Sequence, residues 1–409
     1  MMVPSPVTDT PTADHYDVVI VGGAIIGTSI AWFLADHLDF DGSVLVVERD
    51  MTFERSSTAH TNSCMRQQFS EPLNVRISQF AAEFVREFRS YLHDDPEVPE
   101  VFVNHYGYLY LAADETFAET LRTNQAIQAG LGAGTRIWSP EELAVEYPFY
   151  RLDDIICGSH NLVDEGYFDS GTMFDQLRRR ARCRGVEYTR GEVVGIDRGS
   201  GEATDLVTGV RLTSGRSVGC GTVVNAAGPR AAEVAAMAGL ELPVEPRKRF
   251  SFLVDAAEPL PRDLPLTIDP SGVHARSEGT SYLTGCSPDP DPAVDPDDFT
   301  MDDEIFEAKI WPALAHRIPA FERLKVVGRW AGHYAHNRLD HNVVVGPHHE
   351  VGNFLFANGF SGHGLQQSPA IGRGVAELIV HGEYRSLDLT PLGYQRIVDG
   401  IPFIETAII

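Results

Sequence analysis

The sequence predicts an α/β protein with two domains: a Rossmann-like nucleotide-binding domain and an α+β domain whose sheet is mixed and largely antiparallel. An apolar strand at residues 18–21 runs directly into a glycine-rich turn and then into an apolar, helix-like segment. A second apolar strand, residues 44–47, ends at Glu48, roughly twenty residues beyond the turn, where dinucleotide-binding folds carry an acidic residue. Residues 244–283 contain short apolar runs separated by Pro and Gly, which is typical of a second sheet.

The glycine-rich turn consists of Gly22, Gly23, Ala24, Ile25, Ile26 and Gly27. A strand, a tight turn and a helix N-terminus in this order bring backbone N–H groups and the helix dipole to a pyrophosphate. Ala24 stands where the middle glycine is usual, and a small shift of the turn accommodates its methyl group. A purely structural turn is the alternative, but the register of strand, helix and Glu48 favours nucleotide binding.

The acidic residue at the end of the second strand indicates which nucleotide binds. Glu48 is placed to accept hydrogen bonds from ribose hydroxyls. An acid at this position favours a ribose without a 2′-phosphate, although Arg49 follows it.

Composition limits the partners of the chain. Its 409 residues suit two domains, and no apolar run approaches membrane-spanning length. The formal charge of −25 argues against nucleic acid or an anionic membrane as a partner. The first fifteen residues lack a basic region and an apolar core, so we expect a disordered tail and not a signal peptide. The five cysteines have no paired spacing, which indicates reduced thiols in a cytoplasmic protein.

The nucleotide-binding domain is expected to be discontinuous, because the segments after residue 95 interrupt its pattern of strands and helices. The predicted limits are 1–15 for the tail, 16–95, 155–240 and 335–409 for the nucleotide-binding domain, and 96–154 and 241–334 for the substrate-binding domain.

Three separated segments, residues 17–48, 223–229 and 354–372, resemble one family of flavoproteins. The last contains the sequence FLFANGFSGHGLQQ, and shorter stretches at 164–169, 246–250 and 330–334 are also similar. The family is the D-amino-acid-oxidase-type FAD-dependent oxidoreductases, in the branch with sarcosine oxidase, dimethylglycine dehydrogenase and glycine oxidase. Within that branch the chain most resembles the FAD-dependent oxidoreductase domain-containing proteins. The resemblance spans nearly the whole chain and implies FAD as the cofactor.

The resemblance also implies where FAD binds. Gly22, Gly23 and Gly27 would hold the diphosphate and Glu48 the adenosine ribose. Backbone N–H groups and a helix N-terminus near residues 359–366 would favour the negative charge of reduced flavin. The further implied cofactor residues are Ala24, Ile25, Ile26, Arg49, Ser56, Ser57, Thr58, Asn62, Ser63, Arg66, Val194, Ala226, Ala227, Gly228, Gly359, Phe360, Gly362, His363, Gly364, Leu365 and Gln366.

Four positions depart from the family pattern. Arg230 stands two residues after Gly228, where family members often have Trp. His333 stands where sarcosine oxidase has its flavin-linked cysteine, so FAD should be non-covalent unless His333 itself attaches. His274 matches the place of the flavin-facing lysine, and Gln366 that of the carboxylate-binding lysine. These departures argue against rapid oxidase activity and a simple sarcosine pose.

A substrate carboxylate needs a charged partner, for which Arg66 and Arg276 are the candidates, because guanidinium binds carboxylate bidentately. For Arg66, the equally weighted alternative is a structural partner of Glu71 or of an FAD phosphate. For Arg276, the favoured alternative is an exposed strand residue. His333 and Tyr334 are expected to line the flavin pocket, where they could orient an amine or accept its proton.

No metal site is expected. His333, His336 and His341 lie close to Asp340 in the sequence, but their spacing on a strand and turn does not make a closed ligand set, and the resembled family uses no metal.

The sequence therefore predicts an FAD-dependent oxidoreductase that oxidises the C–N bond of a small secondary, N-methylated or other amino acid by hydride transfer, giving an imine that hydrolyses. O2 or an electron carrier would reoxidise the flavin. The alternatives are a flavin-dependent 2-hydroxy acid dehydrogenase and a non-catalytic FAD-containing assembly factor. The oligomeric state stays open, a homo-oligomer included.

Overall fold

Two large β-sheets organise the computed structural model, which describes residues 3–199 and 205–406. In these residues the first sheet has nine strands: β1 (Val7–Thr8), β2 (His15–Val21), β3 (Val44–Glu48), β10 (Glu187–Arg190), β11 (Val193–Arg198), β12 (Val207–Leu212), β13 (Ser217–Asn225), β19 (Val344–Pro347) and β20 (Phe354–Asn358). The run β1-β10-β3-β2-β13-β20 is parallel throughout. β12, β11 and β19 add to it in antiparallel pairs.

The central strands of this sheet are apolar on both faces. Val18 and Ile20 of β2 belong to one buried cluster, whereas Val19 and Val21 belong to a second. A parallel sheet covered on both sides produces such continuous apolar runs. The first cluster also contains residues of α1 (Ile25–Asp36), α2 (Pro72–Arg86), α3 (Phe88–Tyr91), α6 (Ser170–Cys183) and α9 (Gly364–His381). The second includes residues of α7 (Ala231–Met237).

The second sheet has eight strands in the described residues: β6 (Tyr108–Ala112), β7 (Arg136–Trp138), β8 (Cys157–Asn161), β14 (Val244–Ala256), β15 (Leu266–Ile268), β16 (His274–Glu278), β17 (Ser281–Cys286) and β18 (Leu324–Asn337). Their order is β18-β14-β17-β16-β15-β6-β8-β7, and only the β15–β6 pair is parallel. The predicted fold class, a Rossmann-like domain with a mixed and largely antiparallel second sheet, is confirmed.

Smaller elements connect the two sheets. A three-stranded sheet is formed by β4 (Cys64–Met65), β5 (Val103–Asn104) and β9 (Gly166–Phe168). The remaining helices are α4 (Glu115–Gly130), α5 (Pro140–Glu146), α8 (Trp311–Arg317), preceded by a π-helical turn at Phe306–Ile310, and α10 (Gln395–Asp399). Short 3₁₀ turns lie at Gly228–Arg230, Pro319–Glu322 and Thr390–Leu392. No helix in the described parts of the chain is both long and apolar enough to cross a bilayer.

The N-terminal segment differs from the predicted disordered tail in its described part, residues 3–15. Val7 and Thr8 pair in parallel with β10, and the backbone N–H of Thr12 donates to Glu187 Oε1 at 2.8 Å. Composition alone did not reveal that this segment is ordered, because its contacts are made with Glu187 and β10, far along the chain. Residues 1 and 2 lie outside the described part.

The predicted domain limits also differ from the sheets at two points. β8 pairs with β6 in the second sheet, although residues 155–240 were assigned to the nucleotide-binding domain. β8 has the sequence CGSHN, whose small and polar residues give no alternating pattern to place it. β18 continues the second sheet to Asn337, beyond the predicted limit at 334.

Candidate functional site

A cavity of about 290 Å³ is lined by residues from both large sheets. It meets the carboxyl ends of β2, β3 and β13, where ligands bind in open parallel sheets. Most predicted site residues line it: Gly22, Ala24, Ile25, Ile26, Glu48, Arg49, Ser56, Ser57, Thr58, Asn62, Arg66, Ala226, Ala227, Gly228, His274, His333, Tyr334, Phe360, Gly362, His363, Gly364, Leu365 and Gln366.

The turn between β2 and α1 requires its glycines. Gly22 has φ of +100°, and a Cβ there would lie 2.5 Å from the carbonyl oxygen of Ala226. A Cβ on Gly27 would lie 1.9 Å from the carbonyl oxygen of Gly22. Gly23 and Gly27 do not line the cavity, so they act by letting the backbone pack closely.

The N-terminus of α1 faces this end of the cavity. Ala24 precedes the helix in an extended conformation and has no side-chain group that could cap it. The backbone N–H of Ile25 donates to Thr58 Oγ1 at 3.3 Å. The positive dipole end of this helix suits a phosphate.

Glu48 is held in place at the end of β3. Its Oε2 accepts a hydrogen bond from the Gly23 N–H at 2.8 Å and its Oε1 one from the Asp50 N–H at 2.9 Å. Burial raises the pKa of this carboxyl, and the two N–H donors oppose the rise. The geometry fixes an acceptor beside the phosphate end, as ribose binding needs.

The segment 359–366 forms a second helix N-terminus at the cavity. Ser361 and Gly362 have φ of +49° and +98°, and a Cβ on Gly362 would lie 2.6 Å from the ring of Tyr334. Helix α9 then begins at Gly364, without a capping side chain among the described residues. Gly359, which has φ of +78°, shapes the turn but does not line the cavity.

Arg66 is buried, and neighbouring groups orient its guanidinium. Its backbone N–H donates to Gln366 Oε1 at 2.8 Å, and Nη1 donates to the carbonyl oxygen of Gln68 at 2.6 Å and to the Tyr110 hydroxyl. Nη2 lies 2.9 Å from His363 Nε2. The structure thus brings Arg66, His363 and Gln366 together at one end of the cavity.

His274 is a buried, neutral histidine in the opposite sheet. Burial lowers its pKa to about 4. The Asn62 side-chain amide donates to its Nε2 at 3.2 Å, which leaves the proton on Nδ1. Nδ1 is buried and has no hydrogen-bond partner among the described residues.

His333 and Tyr334 lie at the cavity on β18. His333 Nε2 donates to the carbonyl oxygen of Asp298 at 3.0 Å, and its own carbonyl oxygen accepts from Ser57 Oγ at 2.6 Å. Burial lowers the pKa of His333. Tyr334 stacks under the guanidinium of Arg249, 4.6 Å from its ring centre.

Three predicted residues do not line the cavity for other reasons. Val194 is exposed, and its neighbour Val193 lines the cavity instead. Ser63 turns away, because its hydroxyl lies 2.8 Å from that of Ser170. Arg276 is buried, so the alternative prediction of an exposed strand residue is wrong. It contacts Glu278 and donates to the carbonyl oxygen of Asn62, so the expectation of a carboxylate clamp at this residue is wrong.

Other residues line the cavity that the sequence reasoning did not select, among them Tyr108, Arg230, Arg249, Phe250 and Leu266. Arg249 and Phe250 lie within the family-like stretch 246–250, and Arg230 stands where the family often has Trp. These two signals were available in the sequence. Tyr108 and Leu266 carried none, because only the pairing of β6 with β15 brings them to the site.

The histidines near residue 340 do not converge on the cavity as a metal centre. The rings of His336 and His341 lie 4.8 Å apart, and burial lowers the pKa of His336 to about 4. Elsewhere in the described residues, His37, Asp39 and His381 bring donor atoms within 4.8 Å. There the Asp39 N–H donates to His37 Nδ1, so neutral His37 donates from Nε2 to His381, and this contact explains the cluster without an ion.

The residues present fit FAD. Two helix N-termini at the cavity, a fixed carboxylate at the end of β3 and close-packed glycines at Gly22 and Gly27 match a dinucleotide.

Comparisons with known proteins agree with this geometry. The family model described as FAD dependent oxidoreductase matches residues 17–378. The chain is 40% identical to FAD-dependent oxidoreductase domain-containing protein 1 of Bos taurus, over 95% of this chain and 86% of that protein. It is 24% identical to mitochondrial sarcosine dehydrogenase of Homo sapiens, over 91% of this chain and 40% of that protein. The crystal structure of L-proline dehydrogenase from P. horikoshii superposes with a TM-score of 0.81 and 27% identity, over 95% of this chain and 99% of that one.

Proposed function

Because this chain belongs to the FAD-dependent oxidoreductase family, we propose that it oxidises the C–N bond of a small amino acid whose nitrogen is secondary or N-methylated. The family and the FAD cofactor expected from the sequence are confirmed. When bound, FAD supplies the oxidising equivalent by accepting a hydride from the carbon beside the nitrogen, and water hydrolyses the resulting imine. The substrate class is our proposal.

The cofactor residues of the proposal are those that line the nucleotide end of the cavity. Glu48 would accept from the ribose hydroxyls, and the N-terminus of α1 would meet the diphosphate. The N-terminus of α9 would stand near the flavin, where its dipole favours negative charge.

The observation that carries the proposal is the side-chain amide of Gln366 at the cavity. Arg66 orients it by donating its backbone N–H to Oε1, which leaves the NH2 as a donor to a substrate carboxylate. His274 is a neutral residue of the same wall, and its buried Nδ1 does not donate into the cavity.

Arg66 provides the positive charge near these groups. Its guanidinium is fixed by Gln68 and Tyr110, so it can attract a carboxylate without first losing side-chain freedom. Burial lowers the pKa of His333 and so favours its neutral form, in which Nε2–H donates to the carbonyl oxygen of Asp298. Its Nδ1 can therefore accept a hydrogen bond at the cavity.

A secondary amine is supported by two relatives. The names of the proteins similar to this chain include L-proline dehydrogenase and sarcosine dehydrogenase, and both named substrates combine a carboxylate with a secondary nitrogen. Apolar Phe250 and Leu266 line the same cavity and suit an alkyl or ring substituent on that nitrogen.

The test is an anaerobic titration of the FAD-loaded protein with sarcosine, dimethylglycine, L-proline, pipecolate, glycine, D-alanine and 2-hydroxyglutarate. We expect the oxidised flavin absorbance to fall with a secondary or N-methylated amino acid. Admitting air then separates an oxidase from a dehydrogenase by the speed at which the colour returns.

Two results would overturn the proposal. Reduction by 2-hydroxyglutarate alone would make the protein a hydroxy acid dehydrogenase. No reduction by any compound, together with a stable protein partner, would favour the non-catalytic assembly role. A cytoplasmic location and a homo-oligomer stay predictions.

A further inference from the structure

A proline- and aspartate-rich loop, residues 287–298, reaches from the second sheet to the nucleotide end of the cavity. The loop follows β17, and Pro296 lines the cavity. Its carboxylates make ion pairs with basic residues of both sheets. The contacts fall into two groups with different partners.

The first group anchors the loop on its own sheet. Asp291 binds both terminal nitrogens of Arg249 at 2.9 Å, and Asp298 lies 2.6 Å from Lys248 Nζ. The backbone of Asp298 also accepts from His333. These contacts hold the loop against β14 and β18 and do not involve the nucleotide sheet.

The second group is made by Asp297, which joins the loop to the nucleotide sheet. Its Oδ1 lies 2.9 Å from Arg49 Nη2, and its Oδ2 lies 2.5 Å from Arg230 Nη2. Arg49 directly follows Glu48 at the end of β3, and Arg230 follows Gly228 after β13. Both arginines line the cavity, so one carboxylate spans the two strand ends where adenosine and diphosphate are expected.

We propose that Asp297 is a latch that holds the loop 287–298 over the adenosine end of the cavity and slows the release of FAD. Opening the loop at this end requires both ion pairs to break together. The side chain of Asp297 is 52% exposed, so salt in solution weakens the contact. The two guanidinium groups lower the pKa of Asp297 to about 2, so the carboxylate stays charged near neutral pH.

The alternative to a latch is that Asp297 competes with FAD for Arg49 and Arg230. If Asp297 occupies arginines that would otherwise bind the FAD diphosphate, its removal should slow FAD release. If it is a latch, its removal should speed release. The two roles therefore predict changes of opposite sign in one rate.

The experiment measures FAD release from the loaded protein as the rise in free-flavin fluorescence after dilution. For Asp297→Asn we expect release about three- to tenfold faster at low salt, the range for loss of a partly exposed pair network. Asp303→Asn is the matched control. Asp303 is also 52% exposed and pairs with Arg329, but it does not line the cavity, so its release rate should equal that of the wild type.

The salt dependence of the FAD release rate is a second measurement. A purely structural role of Asp297 would not change this dependence. Between roughly 0.01 M and 1 M NaCl, the Debye length falls from about 30 Å to about 3 Å. The wild-type rate should rise toward that of Asp297→Asn, while the variant rate should rise less, because only the wild type loses the Asp297 ion pairs to screening. Equal melting temperatures of the three apoproteins exclude a folding defect.

An unchanged or slower release from Asp297→Asn, or a salt dependence equal to that of the wild type, would overturn the latch. The measurement follows FAD and not turnover, so its outcome does not depend on which amine the protein oxidises.

Discussion

The two walls of the cavity are built in different ways. The nucleotide wall is lined by residues 22, 24–26, 48 and 226–228, with Gly23 and Gly27 packed behind them, and it consists mainly of backbone: tight turns, close glycines and a helix N-terminus. The substrate wall, made by Arg249, His274, His333 and Tyr334 with Arg66, consists of side chains whose partners come from distant segments. The first wall tolerates few residue types at each position. The second wall depends on hydrogen bonds between side chains, so a change at one residue alters the orientation or protonation of its partners.

The largest effect is expected in the nucleotide wall. In Gly27→Ala the added methyl would lie 1.9 Å from the carbonyl oxygen of Gly22, and backbone cannot move aside at little cost. We expect a protein purified without FAD, measured as the ratio of flavin absorbance to protein absorbance.

The matched control is Gly130→Ala, where the new methyl meets nothing within 4 Å. That variant should be as yellow as the wild type. A fully FAD-loaded Gly27→Ala protein would show that backbone geometry does not define this wall.

The next effect belongs to the substrate wall and depends on pH. The pKa of His274 is lowered from 6.5 to about 4 by burial. Between these values the unfolded chain binds a proton that the folded protein does not, so stability rises with pH and is lost as pH falls. From about pH 7.5 to about pH 5, His274 should account for a loss of about 2 kcal/mol in the free energy of unfolding.

Urea unfolding gives the free energy of unfolding of the FAD-loaded wild type and of His274→Gln at both pH values. The contribution of His274 is the amount by which the loss between the two pH values is larger in the wild type than in the variant. His15→Gln, a change at an exposed histidine, is the control. The same pH dependence in the wild type and in His274→Gln would mean that His274 is charged in the folded protein.

The sequence was informative about the nucleotide wall for a physical reason. Gly22 and Glu48 act through local backbone geometry and a fixed spacing, which a single sequence displays. The placement of β8 in the second sheet and the inward position of Val193 in place of Val194 depend on strand pairing in the folded protein. A shift of one residue in register moves a side chain to the opposite face of the sheet. The carboxylate-binding role predicted for Arg276 was wrong because its guanidinium pairs with Glu278 and donates to the carbonyl oxygen of Asn62, which only the structure shows.

Two buried arginines differ in their access to the cavity. Arg66 lines the cavity and Arg276 does not. In Arg66→Lys the planar, bidentate group is lost, so the amino acid concentration that reduces half of the flavin should rise about tenfold, the value for one charge-assisted hydrogen bond. Arg276→Lys should leave that concentration within about twofold of the wild type.

Both variants are compared by anaerobic titration, and melting temperatures separate loss of affinity from loss of fold. An equal shift in both variants would remove Arg66 from the substrate wall and make its role structural.

The smallest effect is expected where the two walls meet. Ser57 belongs to the loop after β3, and its hydroxyl donates to the carbonyl oxygen of His333 on β18 at 2.6 Å. Ser57→Ala leaves that carbonyl without this donor, so the free energy of unfolding should fall by about 1 kcal/mol. Thr120→Ala, which removes an exposed hydroxyl bonded within its own helix, should change it by less than about 0.5 kcal/mol. Equal stability of Ser57→Ala and wild type in urea unfolding would mean that this bond adds nothing measurable to the contact between the walls.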